Sequence, residues 1–551
     1  MKSVRTVVIY ASLTAGSLVF AWPFIWMAST SAKLERELFR EKPRILPEAP
    51  RPRLRSPYID DRVFADTTGP RMNEAIAVIE THLASAPQTW NPEADRASAR
   101  KETARGIYAQ LLNTIPREDW NKPAEELGAQ VTQNISPALA GEIMTRLRRV
   151  LCVGQLRVRS YDLQEDQLVA PQNVAASWSI GGTAQAKLVQ TGSAAEPYAE
   201  LHYDFSKGSI VTLSQIFTTT FPVDRLHRIQ LYLRNDDAWH AIHLVVEKNG
   251  IQFRAEHAVD DADINWVIDT WQERGPDDRP DKIRTWTLLR EVARSPRFVQ
   301  APNQIKITLE LEQRNAWQAW SAKLLRNYRL TLDYIPFWRY VATSLFLIIL
   351  NLAGTLFSCS LVAYSFARLQ WPGRTTCFAL LLATMMLPPQ VTMIPQFLLF
   401  QKLGWYNTLK PLWVMSFFAS AFSVFLLRQF LKGVPRDLED AARLDGCGFF
   451  RIYWHIMLPL IKPTLAAIAI FTFLASWNEF MMPLIYLSDQ RLYPLSFGLY
   501  AFQIQSLQPG TSAGIGMLMA GSLLMTLPVI AIFFFAQRYF LQGVTLTGLK
   551  G

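Results

Sequence analysis

Residues 434–448 read Val-Pro-Arg-Asp-Leu-Glu-Asp-Ala-Ala-Arg-Leu-Asp-Gly-Cys-Gly, and this stretch decides the fold of the chain. Pro435 stops the helix that precedes it, because proline has no N–H to donate and its ring clashes with the preceding turn. Asp437 is placed to cap the next helix, and further acids occupy the first turn of that helix. Gly446 can adopt the left-handed conformation that ends a short helix. The stretch therefore predicts two short helices joined at a glycine.

The chain on both sides of that glycine can pack against other surfaces. Ala441 and Ala442 have small side chains, so another surface can come close to the first helix. After the glycine, an amphipathic stretch at 449–453 opens the second helix. Pro459 and Pro463 then bend the chain back toward the next apolar run, because prolines interrupt helices.

Six apolar stretches surround this segment, and each is long enough to cross a bilayer, which takes about 20 residues. They run over residues 7–28, 341–367, 375–399, 409–431, 464–487 and 515–540. The first is longer than the apolar core of a secretory signal, which has about 7–15 residues, so we expect it to be retained. Pro388 and Pro389 interrupt the third stretch and predict either a bend around a cavity or a plain kink.

Charge divides the chain into two parts and orients it. Of the 56 basic and 46 acidic residues, only 14 and 6 lie beyond residue 335. Basic residues concentrate in the loops at 368–374 and 432–462, which predicts that both loops and both termini are cytoplasmic and that residues ~30–335 are outside. Membrane topology thus explains the positive charge, and we expect no nucleic-acid partner. The soluble part holds a single cysteine, Cys152, so it has no internal disulfide and no cysteine-based metal site.

The 434–463 segment resembles the EAA signature of ABC importer permeases, which reads Glu-Ala-Ala, three residues, Gly, nine residues and Ile-x-Leu-Pro. The positions that meet this spacing are Asp440, Ala441, Ala442, Gly446, Ile456, Leu458 and Pro459. The departure is Asp440, where the family usually has Glu, so the charge remains but the side chain is one methylene shorter.

Further segments resemble the carbohydrate-uptake, maltose-type branch of the same family. They are residues 23–33, 327–328, 476–485 and 537–551. The resemblance covers about residues 1–33 and 325–551 and leaves the residues between them unmatched.

This resemblance implies a type I ABC importer permease fold with six transmembrane helices in a bacterial inner membrane. It also implies partners, namely a separate ABC ATPase that binds ATP and Mg, a second permease subunit, a solute-binding protein and membrane lipid. The chain contains no GxxxxGK[ST] phosphate loop, so the nucleotide chemistry belongs to the ATPase. We therefore expect a permease subunit without catalytic residues, cofactor or metal of its own.

One set of site residues follows from the resemblance, and the other follows from Glu479, the only acid inside a predicted span. The residues expected to couple the permease to the ATPase are Asp440, Ala441, Ala442, Asp445, Gly446, Ile456, Leu458 and Pro459. Asn478 and Glu479, near the outer end of the fifth stretch, are candidates for the translocation path. Glu479 would line the path or bind a sugar hydroxyl. The alternative for Asn478 and Glu479 is that these two residues face water and fix the helix end.

The unmatched residues predict an extracytoplasmic α+β insertion. We expect a first span at 1–33, a linker and helical part at 34–152, a β-sandwich at 153–324 and a five-helix core at 325–551. Helical periodicity predicts helices at 72–85, 97–112 and 138–151. Beyond residue 153 apolar residues alternate, and Asn249-Gly250 is a strong two-residue hairpin signal.

The insertion allows more than one role. It contains Trp178, Trp239, Trp266, Trp271, Trp286, Trp317 and Trp320, which either stack on sugars or fill the core. His240 and His243 lie on a predicted strand that sends them to opposite faces, which argues against a metal pair. We expect the insertion either to bind solute or to dock a solute-binding protein. The alternative to an importer is a membrane-anchored carbohydrate-binding or carbohydrate-active protein, whose paired carboxylates would be sought among Asp260, Asp261 and Asp263.

Overall fold

The computed structural model describes residues 2–39, 44–85, 96–161, 167–169, 173–193, 196–259, 264–274, 283–284, 286–299, 301–506 and 514–545. Two compact units divide the chain. The span unit comprises Met1–Pro47, Asp277–Thr285 and Asn327–Gly551, and the sheet unit comprises Glu48–Pro276 and Trp286–Arg326. The acids considered for a carbohydrate-active alternative, Asp260, Asp261 and Asp263, lie outside the described residues.

The first elements of the chain are helical. Helix α1 (Lys2–Ser31) contains the first apolar stretch and ends in a short turn that leads to α2 (Glu35–Leu38). Pro23 lies inside α1, but the helix continues through it. The predicted span at 7–28 therefore lies within one longer helix.

Helices form the first part of the sheet unit. They are α3 (Met72–Ser85), α4 (Arg96–Thr114), α5 (Ala124–Gln133) and α6 (Pro137–Leu147), with a 3-10 turn at Asp119–Asn121. Their apolar faces meet in one cluster that includes Ile79, Tyr108 and Ile143. The predicted helix at 138–151 was too long, and α5 was not predicted. The apolar spacing continues past Leu147 into a strand, so periodicity alone could not locate the end of α6.

Among the described residues, the rest of the sheet unit consists of fifteen short or medium strands, one short helix, one 3-10 turn and the beginning of the helix Ala316–Tyr334. The strands are β1 (Arg55–Ser56), β2 (Tyr58–Ile59), β3 (Arg148–Arg149), β4 (Leu151–Ser160), β5 (Gln167–Val169), β6 (Ser179–Gly182), β7 (Gln185–Gly192), β8 (Pro197–Asp204), β9 (Ile210–Thr218), β10 (Leu226–Arg234), β11 (Ala241–Lys248), β12 (Ile251–Ala255), β13 (Val267–Gln272), β14 (Thr287–Arg294) and β15 (Gln304–Glu312). Helix α7 (Val174–Ser177) and a 3-10 turn at Val223–Arg225 lie between strands.

The strands pair in the order β1-β8-β4-β10-β13-β14-β12-β11-β15-β9-β6, with β5 beside β4 and β7 beside β8. All the pairings are antiparallel except β13 with β14, which are parallel and joined by only two residue pairs. This short junction divides the strand order into two antiparallel sheets, one from β1 to β13 and the other from β14 to β6. The buried side chains of both sheets form one apolar cluster, with Ile229 from β10, Val246 from β11 and Ile307 from β15. Two sheets that share one core are what a β-sandwich requires.

Two local predictions for these strands had different outcomes. The Asn249-Gly250 hairpin is confirmed, because both residues have positive φ (48° and 72°) and Lys248 pairs with Ile251. The placement of His240 on a strand was wrong. It precedes β11, where its Nε2 lies 2.8 Å from the carbonyl oxygen of Arg53 and its Nδ1 accepts the Arg314 N–H at 3.1 Å.

The tryptophans of the sheet unit divide between core and surface. Trp178, Trp239 and Trp271 are buried, as core packing requires. Trp266 and Trp317 are exposed by 39% and 77%. Trp286 and Trp320 are half-buried. Trp266 and Trp317 are therefore the most accessible of these seven rings.

Helices account for the remainder of the chain. They are α8 (Ala316–Tyr334), α9 (Phe337–Arg368), α10 (Arg374–Thr384), α11 (Pro389–Lys402), α12 (Pro411–Val414), α13 (Ala421–Gly433), α14 (Asp437–Leu444), α15 (Phe449–Ile452), α16 (Leu458–Leu460), α17 (Lys462–Trp477), α18 (Met481–Tyr486), α19 (Leu495–Ser506) and α20 (Ile515–Thr545). Two 3-10 turns lie at Met415–Phe417 and Gln490–Leu492, and a π-helical turn lies at Tyr453–Met457.

Four of the described helical segments are long and apolar enough to cross a membrane, and two bent pairs raise the number to six if each pair is one span. The four are Thr6–Ser31, Phe337–Arg368, Pro411–Gly433 and Ile515–Phe535. The bent pairs are Arg374–Thr384 with Pro389–Lys402, at 98°, and Phe449–Leu460 with Lys462–Trp477, at 75°.

Three predicted stretches are not single helices. The third breaks where Pro388 precedes α11, so the interruption is a sharp bend. The fourth divides between α12 and α13, although Pro411–Gly433 as a whole is long and apolar enough to cross a membrane. The fifth, predicted as 464–487, ends its main helix at Trp477 and restarts as α18. A count of apolar residues registers length but not the breaks that a proline or a polar pair introduces.

The segments that leave α1 and enter α9 contact each other. The Tyr328 and Ser31 hydroxyls lie 2.6 Å apart, and the buried Asn327 amide donates to the carbonyl oxygens of Ser31 at 2.9 Å and Lys33 at 3.0 Å. The Thr331 hydroxyl donates to the Met517 carbonyl oxygen at 3.0 Å, which joins α8 to α20. These hydrogen bonds therefore join the parts of the span unit that the inserted sheet unit separates in the sequence.

Candidate functional site

The segment 434–463 forms two short helical pieces joined at Gly446, as predicted. Gly446 has φ of 80°, its N–H donates to the Arg443 carbonyl, and the next N–H, of Cys447, donates to the Ala442 carbonyl at 2.9 Å. This pair of hydrogen bonds is the Schellman ending of a helix. The prediction that Asp437 caps α14 was wrong. Arg436 occupies the cap position without a side-chain hydrogen bond, so Asp437 is the first helical residue.

The inner face of this segment packs against three long helices. Ala442, Ile452, Tyr453 and Met457 are buried in one apolar cluster with side chains of α9, α13 and α17. The Tyr453 hydroxyl lies 2.8 Å from the Ser360 hydroxyl of α9. Because close-packed interiors transmit displacement, the segment and the ends of these helices form one body.

A buried ion pair reinforces that packing. The Arg368 Nε lies 3.0 Å from a Glu439 carboxylate oxygen, and the two side chains are 3% and 4% exposed. The Arg368 Nη2 also donates to the carbonyl oxygens of Leu431 and Val434 at the end of α13. One guanidinium thus joins the last residue of α9, the end of α13 and the inner face of α14.

Sequence reasoning missed both members of this pair. Glu439 was grouped with the other acids of the first helical turn, although its spacing from Ala442 places the two on one face. Arg368 was counted only as a positive charge in a loop. An acid that shares a helix face with a buried alanine is the signal that could have identified Glu439.

The outer face of the segment is exposed. Leu444 is 89% exposed, Phe449 59% and Phe450 67%, and Leu438 is also exposed. Single exposed leucines are ordinary on protein surfaces. A group of large exposed apolar side chains in one short segment is typical of an interaction site.

The predicted coupling residues divide between these two faces. Asp440, Ala441, Asp445, Gly446 and Pro459 are exposed, Ala442 is buried, and Ile456 and Leu458 are half-buried against the apolar cluster. The two alanines therefore serve different surfaces. Ala442 allows α14 to approach the long helices, whereas only Ala441 is open to a partner.

The predicted path residues lie at the break between α17 and α18. The Asn478 amide donates to the Leu474 carbonyl oxygen at 2.8 Å, and a Glu479 carboxylate oxygen accepts the Met482 N–H at 3.1 Å. Both side chains are exposed. These hydrogen bonds fix the end of one helix and the start of the next, and a place in the translocation path stays a prediction.

Comparison with known proteins identifies relatives of the span unit. Residues 359–546 match the family described as binding-protein-dependent transport system inner membrane component. A similar protein is the arabinooligosaccharides transport system permease protein AraQ of Bacillus subtilis (strain 168), which is 39% identical over 215 residues, or 39% of this chain and 74% of AraQ. The lactose transport system permease protein LacG of Rhizobium radiobacter is 33% identical over 210 residues, or 38% of this chain and 73% of LacG.

Among solved structures, one similar chain belongs to a bacterial ABC transporter involved in the import of the acidic polysaccharide alginate. It is 24% identical, with a TM-score of 0.35, and the match covers 39% of this chain and 79% of that chain. The family profile lies wholly within the span unit, so the sheet unit is outside it.

The backbone conformation at Gly446 gives a direct test of the turn. A Cβ built there meets no atom within 4 Å, so only the positive φ opposes a side chain. That conformation costs most residues about 1–2 kcal/mol but is tolerated by asparagine. We expect Gly446→Val to reduce ATP-driven uptake strongly at normal membrane levels and Gly446→Asn to retain most of it, measured in reconstituted vesicles. Normal transport by the valine variant, or equal loss in both variants, would contradict this account.

Proposed function

This chain belongs to the family of binding-protein-dependent transport system inner membrane components, and we propose that it is the permease subunit of an ATP-driven sugar importer. It is a multi-pass inner-membrane protein and not an enzyme. Since its relatives are permease proteins, the alternative of a membrane-anchored carbohydrate-active enzyme is set aside.

The names of the relatives support sugars as the cargo. They include permease proteins for arabinooligosaccharides, for lactose and for diacetylchitobiose. A relative from Yersinia enterocolitica is named for sn-glycerol-3-phosphate, which broadens the class to related solutes. We propose a sugar or a closely related solute.

The observation that carries the coupling mechanism is the division of the 434–463 segment into two faces. Its inner face is packed and ion-paired against α9, α13 and α17, and its outer face presents Leu444, Phe449 and Phe450. A partner ATPase that grips the outer face would move the packed helices with it, since a rigid lever transmits displacement. ATP and Mg would then reside on that partner.

The arrangement in the membrane extends this proposal. We propose six spans with both termini cytoplasmic, which places the 434–463 segment inside and the sheet unit outside. A second permease subunit would complete the path, to which Asn478 and Glu479 contribute. The sheet unit would dock a solute-binding protein or hold solute itself.

The exposed Leu444 provides the test of ATPase coupling. Leu444→Asp places a charge on the outer face, and a surface change of this kind usually alters stability by less than about 0.5 kcal/mol. We expect at least about a tenfold loss of ATPase association, as for a residue central to an interface. The measurement is co-purification with the tagged ATPase from membranes.

Leu403→Asp is the matched control, because Leu403 is an exposed leucine (52%) that follows α11, far along the chain from the segment. It should leave co-purification unchanged. If the Leu444→Asp variant co-purifies with the ATPase as well as the native chain does, the ATPase binds another surface and the coupling proposal fails.

The proposed sidedness is testable with single cysteines. Cys377 and Cys447 would first be replaced by serine, because both are accessible to some degree. In that background Trp317→Cys and Leu444→Cys place thiols at sites 77% and 89% exposed. We expect a membrane-impermeant maleimide added to intact spheroplasts to label position 317 and to reach 444 only after lysis. The reverse order would invert the topology.

A further inference from the structure

A wide cleft lies in the sheet unit beside the face of β7 and β8 that is turned away from the apolar core. Its volume is about 990 Å³, and its walls come from the end of α6, β3, β7, β8 and the end of β10. Organic ligands occupy pockets of about 300–1,000 Å³, so this cleft is large enough for an oligomeric ligand and far larger than an inorganic anion needs.

Strand alternation explains which side chains line the cleft. Lys187 pairs across the sheet with His202, and Val189 pairs with Glu200. Successive side chains of a strand alternate between its two faces. Leu201 and Tyr203 are buried in the apolar core, so the residues of these two pairs lie on the opposite face. The strands thus present one face to the core and the other to the cleft.

The lining of the cleft is strongly basic. Arg146, Arg148, Arg149, Lys187 and Arg234 line it, and Glu200 is the acid among its lining residues. Two acids just beyond the lining, Glu142 and Asp60, pair with Arg146 and Arg149. Bases therefore outnumber acids even when these neighbours are included, so the cleft attracts anions.

Glu200 does not neutralise the whole site. It accepts two hydrogen bonds from Arg148, at 2.8 and 2.7 Å. Burial by itself would raise the pKa of Glu200, but hydrogen bonds from His202 and Arg148 outweigh burial and hold the pKa at about 2. The carboxylate therefore stays ionised and engages Arg148, and it forms no ion pair with Arg234.

Arg234 is the base best placed to bind a ligand. Its guanidinium carbon lies 5.7 Å from the ring centre of Tyr198 and 5.5 Å from that of Trp266, and its Nη2 donates to the Cys152 thiol at 3.1 Å. Burial raises the pKa of Cys152 to about 11, so the thiol is neutral. Among the described residues no carboxylate lies within 4 Å of Arg234. A rigid guanidinium with donors to spare is suited to a carboxylate or phosphate.

We propose that this cleft binds an acidic oligosaccharide, with Arg234 on the anionic group and a sugar ring extending to Trp266, which does not line the cleft but contacts two residues that do, Tyr198 and Arg234. The Trp266 ring is 39% exposed and lies next to Tyr198, at 5.1 Å between ring centres. The guanidinium of Arg234 lies over one face of this ring, and the opposite face can stack on a sugar ring while the guanidinium holds the charge. The sugar part of this inference rests on the proposed function, whereas the anion part rests on the cleft alone.

Calorimetry on the full-length chain in phosphatidylcholine nanodiscs tests the proposal without any ATPase. The probes are trigalacturonate, maltotriose as the neutral sugar, and inorganic phosphate as the small anion. We expect trigalacturonate to bind, with affinity that falls as salt rises, and the other two to bind at least about tenfold more weakly, since the charge-assisted hydrogen bonds and the ring contact are both needed.

Variants locate the site. Arg234→Met should weaken trigalacturonate binding by at least about tenfold, as expected when charged hydrogen bonds are lost. Lys187→Gln, at an exposed position on β7, should weaken it several-fold without a folding defect. Arg157→Met is the matched control, because Arg157 also stacks on a tyrosine, Tyr232 at 5.3 Å, but does not line the cleft; binding should be unchanged.

Several results would overturn the proposal. They are equal binding of maltotriose, equal binding of inorganic phosphate, and native affinity in both Arg234→Met and Lys187→Gln. Because the assay contains no ATPase and measures no transport, such a failure leaves the permease function untouched. Conversely, a failure of the Leu444 test leaves the binding result intact.

Discussion

An ion pair removed from water, Arg368 with Glu439, is the interaction on which the proposed mechanism depends. Buried charges are costly unless each is fully partnered, and loss of one partner typically costs about 3–5 kcal/mol. Here the guanidinium also satisfies two carbonyl groups at the end of α13. The pair therefore fixes the position of α14 relative to α9 and α13 more strictly than apolar packing alone would.

The Arg368–Glu439 ion pair gives the two surfaces of the 434–463 segment different roles. The inner surface is committed to the span unit through Ala442 and Tyr453, so it has no capacity to bind a partner. The outer surface, around Leu444, is free to do so. In the proposed mechanism, a partner that pulls on the outer surface would move whole helices and would not unfold a loop, because a packed body responds as a unit. The sheet unit is outside the family profile and adds a basic cleft of its own.

Local chemistry was readable from the sequence, and distant pairing was not. Gly446 and Asn249-Gly250 were predicted because each conformation is set by the residues of the turn itself. The assignment of Asp437 as a cap failed because the helix starts one residue earlier than a capping side chain would place it. Arg368 and Glu439 lie on different helices, so only the folded chain shows their contact. The two-pair junction of β13 with β14 likewise joins strands that are distant from local turn signals, so only the folded chain shows it.

The most direct test of the rigid-body claim is an electron–electron distance measurement between spin labels at Leu345, on α9, and Leu438, on α14, with reactive native cysteines replaced. Both positions are 45% exposed, so labels should be accommodated. In the complete transporter we predict that this distance changes by less than about 2 Å between nucleotide-free and ATP-trapped states, which is within the range of packed helix shifts. Arg368→Met should broaden the distribution. A change in the native protein of a helical turn, about 5.4 Å, would show that α14 moves independently of the span it is paired to.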